Sequence, residues 1–200
     1  MTARPPRPLI LGSTSAYRRQ LLERLRIPFS VQAPGVDESV LPGEAPAALA
    51  SRLALAKAQA VAARAPASVV IGCDQVADLH GQALGKPGGY DKAMEQLRAM
   101  RGQTVVFQTA MAVVCQESAF CAEVLVPVRV VYRDASDAEF DYYLCSEQPY
   151  DCAGSVKSEG LGIALMERID NDDPTALIGL PLIRLAALLQ KAGIAVLSPP

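Results

Sequence analysis

Apolar positions along the chain fall into short continuous runs of strand length and longer stretches with helical spacing. Residues 9–11 and 69–71 are continuous apolar runs, which is typical of strands buried on both faces. Residues 104–115 and 122–132 are longer apolar segments on either side of a short polar turn at 116–121, and they predict an antiparallel pair. Shorter strands are predicted near 29–33 and 163–169.

Helical spacing and helix-start signals recur between these strands. They predict helices after an N-cap at Ser15, over 46–64, from Asp91, after the capping box at Ser136 and Glu139, and from Pro181 toward Gly193. Alternating strands and helices predict an α/β fold with a central mixed sheet flanked by helices. The 200 residues suit one domain or one bilobed domain, expected at 9–195 after a tail at 1–8.

Composition narrows the class of protein. The net charge of -2 argues against a nucleic-acid partner, whose binding surface is usually basic. No apolar segment is long enough to span a bilayer, and the basic, proline-rich start at 1–8 is not followed by a secretory apolar region. The five cysteines form no C-x-x-C pair, which favours free thiols and a cytoplasmic location. The single histidine, His80, lies in a predicted turn, where a solvated role is favoured over catalysis.

The first candidate for chemistry is Asp74, followed by Gln75. Both come after Gly72, at the point where the apolar run 69–71 stops, so they are expected at the end of a strand. Ligands collect at the carboxyl ends of strands in α/β proteins. A solvated turn aspartate is equally compatible with this stretch, and the local pattern does not decide between them.

The second candidate is an anion site where the first strand passes into the first helix. Ser13 precedes the helix, and Arg18 and Arg19 lie in its first turn, where cations oppose the helix dipole unless an anion binds. Two solvated surface arginines are the alternative. Lys57, among alanines, and Lys86, between Gly85 and Pro87, add two further cations.

A third candidate is the acidic pair Asp37 and Glu38 in the loop after the predicted second strand. Paired carboxylates hold hard cations together with water molecules. Taken alone, such a pair is more often solvated.

Seven short motifs occur in a fixed order between about residue 9 and residue 190, and together they resemble the Maf family of nucleoside triphosphate pyrophosphatases. They are Gly12 to Arg19, Val36-Asp37-Glu38, Lys57-Ala58, Gly72 to Val76, Gly85-Lys86-Pro87, Lys157 to Gly160 and Gly179-Leu180-Pro181. The resemblance implies an elongated α/β fold related to inosine triphosphatases, with a mixed twisted sheet flanked by helices. It further implies a single bilobed catalytic domain at 9–195 with a deep cleft between the two lobes. It also implies metal-dependent hydrolysis of a nucleoside triphosphate to the monophosphate and pyrophosphate. Gln75 and the loop 157–160 resemble the branch of the family that acts on 7-methyl-GTP.

The resemblance also implies roles for individual residues. Asp74 is expected to be the general base and, with Glu38, a ligand of Mg²⁺ or Mn²⁺. Tyr17, Gln75 and Glu159 are expected to select the base, with Tyr17 stacking on the cationic methylated ring. The triphosphate is expected to bind Ser13, Arg18, Arg19, Lys57 and Lys86. Ala56 departs from the family, since many relatives carry a glutamate there.

Other outcomes stay open at this point. The substrate could instead be dTTP, UTP or a deaminated purine nucleotide, and the fold could serve a nucleotide-binding regulator linked to septum formation. The oligomeric state is also open, and a homodimer is compatible with the sequence.

Overall fold

A seven-stranded mixed sheet with helices packed on it forms the centre of the structure, a computed structural model that describes residues 7–197. In chain order the elements are β1 (Leu9–Gly12), α1 (Ala16–Glu23), β2 (Ser30–Val31), α2 (Pro46–Ala62), β3 (Val69–Leu79), β4 (Gln82–Leu84), α3 (Tyr90–Met100), β5 (Thr104–Cys115), β6 (Phe120–Tyr132), α4 (Asp137–Glu147), β7 (Met166–Asp170) and α5 (Leu182–Lys191). Two 3₁₀ turns, Ala153–Ser155 and Leu161–Leu165, precede β7. The predicted α/β class is confirmed.

Most predicted elements are present, with differences at their ends. The capping box forms as expected, since the Ser136 side chain accepts from the Glu139 amide and Glu139 bonds back. The strand predicted near 29–33 is reduced to two residues, and the one near 163–169 begins as a 3₁₀ turn. Residues 1–6 of the predicted tail lie outside the described residues.

The prediction that Asp74 ends its strand is wrong. β3 continues for five residues beyond it, to Leu79, and pairs with β5 along Val70 to Asp78. On its other edge β3 pairs with β1 only as far as Gly72 and with β4 only from Ala77. Among the described residues, residues 73–76 therefore have no strand neighbour on that edge, and the sheet has a gap in its middle.

One face of the sheet is covered by α2, which approaches β3 closely at Gly72. A Cβ built on Gly72 would lie 2.2 Å from the Ala54 carbonyl oxygen and 2.4 Å from the Ala58 amide nitrogen. Glycine is therefore required for backbone contact between the strand and the helix. This contact fixes the position of Lys57 over the strand.

The opposite face carries two separate apolar cores. Cys73 of β3 and Met111 of β5 pack with leucines of α1 and α5 in one core, and Ala77 and Phe107 pack with α3 and α4 in the other. Between them, on the same face, lie the cross-strand partners Gln75 and Thr109. This polar pair separates the two apolar cores, and the division of the domain into two lobes stays a prediction.

Two further properties bear on the class of protein. All five cysteines are unpaired, as expected. Within residues 7–197 no helix has the length and apolar character needed to cross a membrane.

Candidate active site

A cavity of about 710 Å³ opens at the gap in the sheet. Because the edge of β3 is unpaired there, side chains from both faces of the strand reach the same cavity, Asp74 from the α2 face and Gln75 from the other. Nine of the ten predicted site residues line it: Ser13, Tyr17, Arg18, Glu38, Lys57, Asp74, Gln75, Lys86 and Glu159. The structure therefore brings together residues that are 146 positions apart at the extremes, from 13 to 159.

Arg19 is the exception among the predicted residues. Its guanidinium bonds the Glu23 carboxylate at 3.0 Å on the exposed surface of α1, and it does not line the cavity. Adjacent residues on a helix point about 100° apart, so only one of the two arginines can face inward. The structure places Arg18 in that position.

Lys57 joins two carboxylates at the α2 side of the cavity. Its Nζ donates to Asp74 Oδ1 at 2.6 Å and lies 2.8 Å from Glu38 Oε1. The side chains of Lys57 and Asp74 are 6% and 9% exposed, whereas that of Glu38 is 56% exposed. Asp74 Oδ2 has no protein donor within residues 7–197, so this oxygen is available to a ligand or water molecule.

The loop that carries Glu38 is fixed to α2 by a second ion pair. Arg52 donates to both Glu44 carboxylate oxygens, at 2.6 and 2.7 Å, and to the Ser39 carbonyl at 2.9 Å. Hydrogen bonding from Arg52 lowers the pKa of Glu44 to about 2. A bidentate pair of this kind restrains direction as well as distance, and it holds the loop beside Lys57.

Arg18 and Ser13, which both line the cavity, are the candidates for binding an anion. The Arg18 guanidinium donates to the Cys73 carbonyl at 2.7 Å and to the Gly179 carbonyl at 3.1 Å, which fixes its plane. Ser13 is buried, and its Oγ accepts from the Ser15 amide and from Arg18. Its own hydroxyl proton has no acceptor among the described residues and is free to donate to a bound anion.

Lys86 contributes a further cation to the cavity. It is exposed, lines the cavity, and has no ion-pair partner in the part of the chain that the structure describes. An ammonium without a partner loses little when an anion binds, because no existing pair has to break.

Tyr17 and Glu159 lie near each other at the remaining end of the cavity, together with Cys152. The Lys157 ammonium lies 5.9 Å from the centre of the Tyr17 ring, within the range of a cation–π contact. Lys157 itself does not line the cavity, whereas Tyr17 does. Burial raises the pKa of Tyr17, with the Cys152 thiol as the next contribution, so the phenol stays neutral.

Neither thiol near the site has the character of a nucleophile. Burial raises the pKa of Cys73 to about 11 and, with Asp151 adding to it, that of Cys152 to about 12. Thiols with such values are protonated near neutral pH, and the thiolate is the nucleophilic form. The cavity therefore offers a carboxylate, and not a cysteine, as its reactive group.

The sequence interpretation missed two parts of the site. Thr109, fully buried in β5, accepts a hydrogen bond from Gln75 Nε2 at 2.8 Å. The Gly179 carbonyl accepts hydrogen bonds from both the Arg18 guanidinium and the Cys73 thiol. Thr109 could be recognised only if the strand register that places it opposite Gln75 was known, whereas Gly179 belonged to a motif without an assigned role.

A family model described as Maf-like protein matches residues 8–192. A 7-methyl-GTP pyrophosphatase of Polaromonas sp. strain JS666 is 66% identical over 189 residues, which cover 94% of this chain and 86% of that protein. Proteins of the same name from Albidiferax ferrireducens and Bordetella pertussis are 64% identical over 191 residues and 55% identical over 194 residues. Those alignments cover 96% and 97% of this chain, and 96% of each relative.

Proposed function

The chain belongs to the Maf-like family, and from this premise we propose that it hydrolyses 7-methyl-GTP to 7-methyl-GMP and pyrophosphate. Several relatives that are 54–66% identical over most of the chain carry the name 7-methyl-GTP pyrophosphatase. The observation that carries the proposal is the cavity at the gap in the sheet. It combines a buried carboxylate, Asp74, with the cations Arg18, Lys57 and Lys86.

The three cations suit a triphosphate, which carries several negative charges near neutral pH. Two backbone carbonyls hold the Arg18 guanidinium in one plane, and two carboxylates hold the Lys57 ammonium. Lys86 is exposed and has no ion-pair partner among residues 7–197. Fixed donors aimed at an anion stabilise charge that develops in the transition state without reorganising first. Arg19, which points away from the cavity, is not part of this proposal.

The residues present fit a divalent cation. Glu38 Oε1 and Asp74 Oδ1 lie 2.8 and 2.6 Å from the Lys57 ammonium nitrogen, so the two carboxylate groups are neighbours on one side of the cavity. No group of three or more metal-binding side chains occurs among residues 7–197. Mg²⁺ is commonly held by one or two carboxylates plus substrate phosphates, so we propose that Glu38, Asp74 and the phosphates hold Mg²⁺ or Mn²⁺. The bound ion would supply charge neutralisation at the phosphate oxygens.

Asp74 is the proposed general base. Its Oδ1 is engaged by Lys57, and its Oδ2 is available to accept a proton from a water molecule. That water attacks the α-phosphorus, the new P–O bond forms as the bond to the bridging oxygen breaks, and pyrophosphate leaves. Lys57 keeps the carboxylate oriented during this transfer.

Base selection is proposed to rest on Tyr17, Gln75 and Glu159. N7-methylation gives guanine a positive charge, which favours an aromatic face and carbonyl or carboxylate acceptors near the N1 and N2 protons. Tyr17 and Glu159 line the same end of the cavity, and Glu159 is exposed within it. These features support a methylated guanine over an uncharged pyrimidine.

The deciding experiment is a panel of triphosphates assayed for pyrophosphate release with and without added Mg²⁺ or Mn²⁺. The panel contains 7-methyl-GTP, GTP, dTTP, UTP, ITP and ATP. The proposal expects metal-dependent turnover with the highest kcat/KM for 7-methyl-GTP. Preference for dTTP, UTP or ITP would assign another substrate, and tight binding without turnover would favour a nucleotide-binding regulator. Action in the cytoplasm, a homodimer and the absence of a nucleic-acid partner stay predictions.

A further inference from the structure

The amide of Gln75 is held in one orientation by three acceptors. Its Nε2 lies 2.8 Å from Thr109 Oγ1, 2.9 Å from the Leu177 carbonyl and 3.1 Å from the Ala176 carbonyl. Carbonyl oxygens can only accept, so the group facing them must be the NH₂ and not the C=O. Both amide hydrogens are therefore used inside the protein.

The Thr109 hydroxyl completes this arrangement because it has a single proton. It donates that proton to the Ala176 carbonyl at 3.0 Å, so toward Gln75 it can only accept. Thr109 is fully buried, and Gln75 and Thr109 are direct partners across β3 and β5. Every donor hydrogen of Gln75 and Thr109 has an acceptor in this network, which disfavours rotation of the amide.

The consequence is that Gln75 offers the cavity only its oxygen. Within residues 7–197 no donor bonds Gln75 Oε1, and the residue lines the cavity. We propose that Thr109 is a positioning residue for substrate selection: it locks the Gln75 amide so that the nucleobase meets a hydrogen-bond acceptor. The ligand class is a base that presents N–H donors on this edge, as guanine and 7-methylguanine do and adenine N1 does not.

This inference takes its substrate, 7-methyl-GTP, from the proposed function. The orientation of the Gln75 amide rests on the hydrogen bonds alone and does not depend on that substrate. A positive charge on the methylated ring strengthens its N–H donors, because charge-assisted hydrogen bonds are roughly twice as strong as neutral ones. An acceptor-only Gln75 therefore contributes both to choosing guanine over adenine and to choosing the methylated form. If the wild-type protein prefers a different triphosphate, the proposed function fails while the orientation of Gln75 can still be measured.

The orientation is tested first in the wild-type protein by NMR, where folding of a variant is not at issue. The side-chain amide signals of Gln75 are assigned by their loss in Gln75→Leu. Their solvent exchange is compared with that of Gln116, which is exposed. Strong protection of both Gln75 protons is expected, and exchange as fast as that of Gln116 would overturn the proposal.

The functional test uses Thr109→Val, which keeps the shape but removes the hydroxyl, and Thr109→Ser, which keeps the hydroxyl. Thr104→Val, in the other threonine of β5 and outside the cavity, is the matched control. Thr109→Val is expected to lower the preference for 7-methyl-GTP over ATP about tenfold, mainly through KM, which corresponds to one lost hydrogen bond. Thr109→Ser and Thr104→Val are expected to stay within about twofold of the wild-type preference.

A double-mutant cycle shows whether Thr109 acts through Gln75. In a Gln75→Leu background, Thr109→Val should change the preference no further, because the amide that it positions is gone. The same tenfold change in both backgrounds, or a Thr109→Ser variant that behaves like Thr109→Val, would overturn the proposal. A uniform loss of kcat on every nucleotide with an unchanged preference would also overturn it, since that is the effect of a purely structural threonine.

Discussion

The ammonium of Lys57 donates to the carboxylate of Asp74 across 2.6 Å, from the middle of a helix to the middle of a strand. Both side chains are more than nine-tenths buried. Removing one partner of a buried pair leaves an uncompensated charge, which commonly costs about 3–5 kcal/mol of stability. The pair lies beside the gap in the sheet, where residues 73–76 have no strand neighbour on one edge among residues 7–197.

Asp74→Asn tests the proposed base directly. The amide keeps the size of the side chain but cannot accept a proton from water, so kcat is expected to fall by about 10²–10⁴-fold. Pyrophosphate release measures the loss, and calorimetry should still detect binding of the triphosphate. Asp78→Asn, on the same strand but outside the cavity, is the matched control and should leave kcat nearly unchanged. Near-normal turnover of Asp74→Asn would remove Asp74 from the mechanism.

Arg18 and Arg19 provide a matched pair on one helix. Arg18→Ala removes a guanidinium fixed by the Cys73 and Gly179 carbonyls, and kcat/KM is expected to fall by about 10²-fold or more because a preorganised charge is lost. Arg19→Ala removes only an exposed pair with Glu23, so a change of less than about twofold is expected. Steady-state kinetics of both variants measures the contrast. Equal losses would mean that Arg19 reaches the phosphates after all.

The two arginines also show what a sequence pattern can and cannot determine. The helix, the position of both arginines in its first turn and the serine before it were predictable from local signals. Which arginine faces the cavity, however, depends on how α1 packs on the sheet. Asp74 shows the same limit. Its apolar run does stop locally, yet β3 continues, because β5 pairs along one edge while the other edge lacks a neighbour. Such a gap depends on which strands, distant in the sequence, pair with β3, and the local spacing of apolar residues does not indicate it.

Tyr17→Leu tests recognition of the cationic base. The substitution keeps an apolar side chain but removes the aromatic face, so the preference for 7-methyl-GTP over GTP is expected to fall by about 2- to 30-fold, the range that a cation–π contact provides. Tyr142→Leu, an exposed tyrosine outside the cavity, is the control. Ratios of kcat/KM measure the effect. An unchanged ratio would assign Tyr17 to packing against Lys157 instead.

Glu44 makes stability dependent on pH in a defined window. Bonding to Arg52 lowers the pKa of Glu44 from its ordinary value of 4.5 to about 2, so ionised Glu44 stabilises the folded chain above pH 4.5. This contribution is lost as the pH falls from 4.5 toward 2. The difference in unfolding free energy between wild type and Glu44→Gln should therefore shrink across that window, as measured by urea titration at several pH values. Arg52→Gln should show the same trend, and a difference that is constant with pH would contradict the account.

Gly72→Ala tests whether the contact between β3 and α2 sets the geometry of the site. The new Cβ would meet backbone atoms of Ala54 and Ala58, which cannot rotate away, so the helix must shift. Overpacking of this kind costs about 3 kcal/mol, and the shift should also move Lys57 away from Asp74 and lower kcat. Gly89→Ala is the control, since a Cβ at this position has no neighbour within 4 Å and Gly89 does not line the cavity, and stability should change by less than about 1 kcal/mol. Urea unfolding and kcat are measured on both variants. A Gly72→Ala protein with wild-type stability and turnover would contradict this account. It would mean that β3 and α2 can move apart without disturbing the pair of Lys57 and Asp74. The position of Lys57 would then be set by its carboxylate partners and not by the backbone contact.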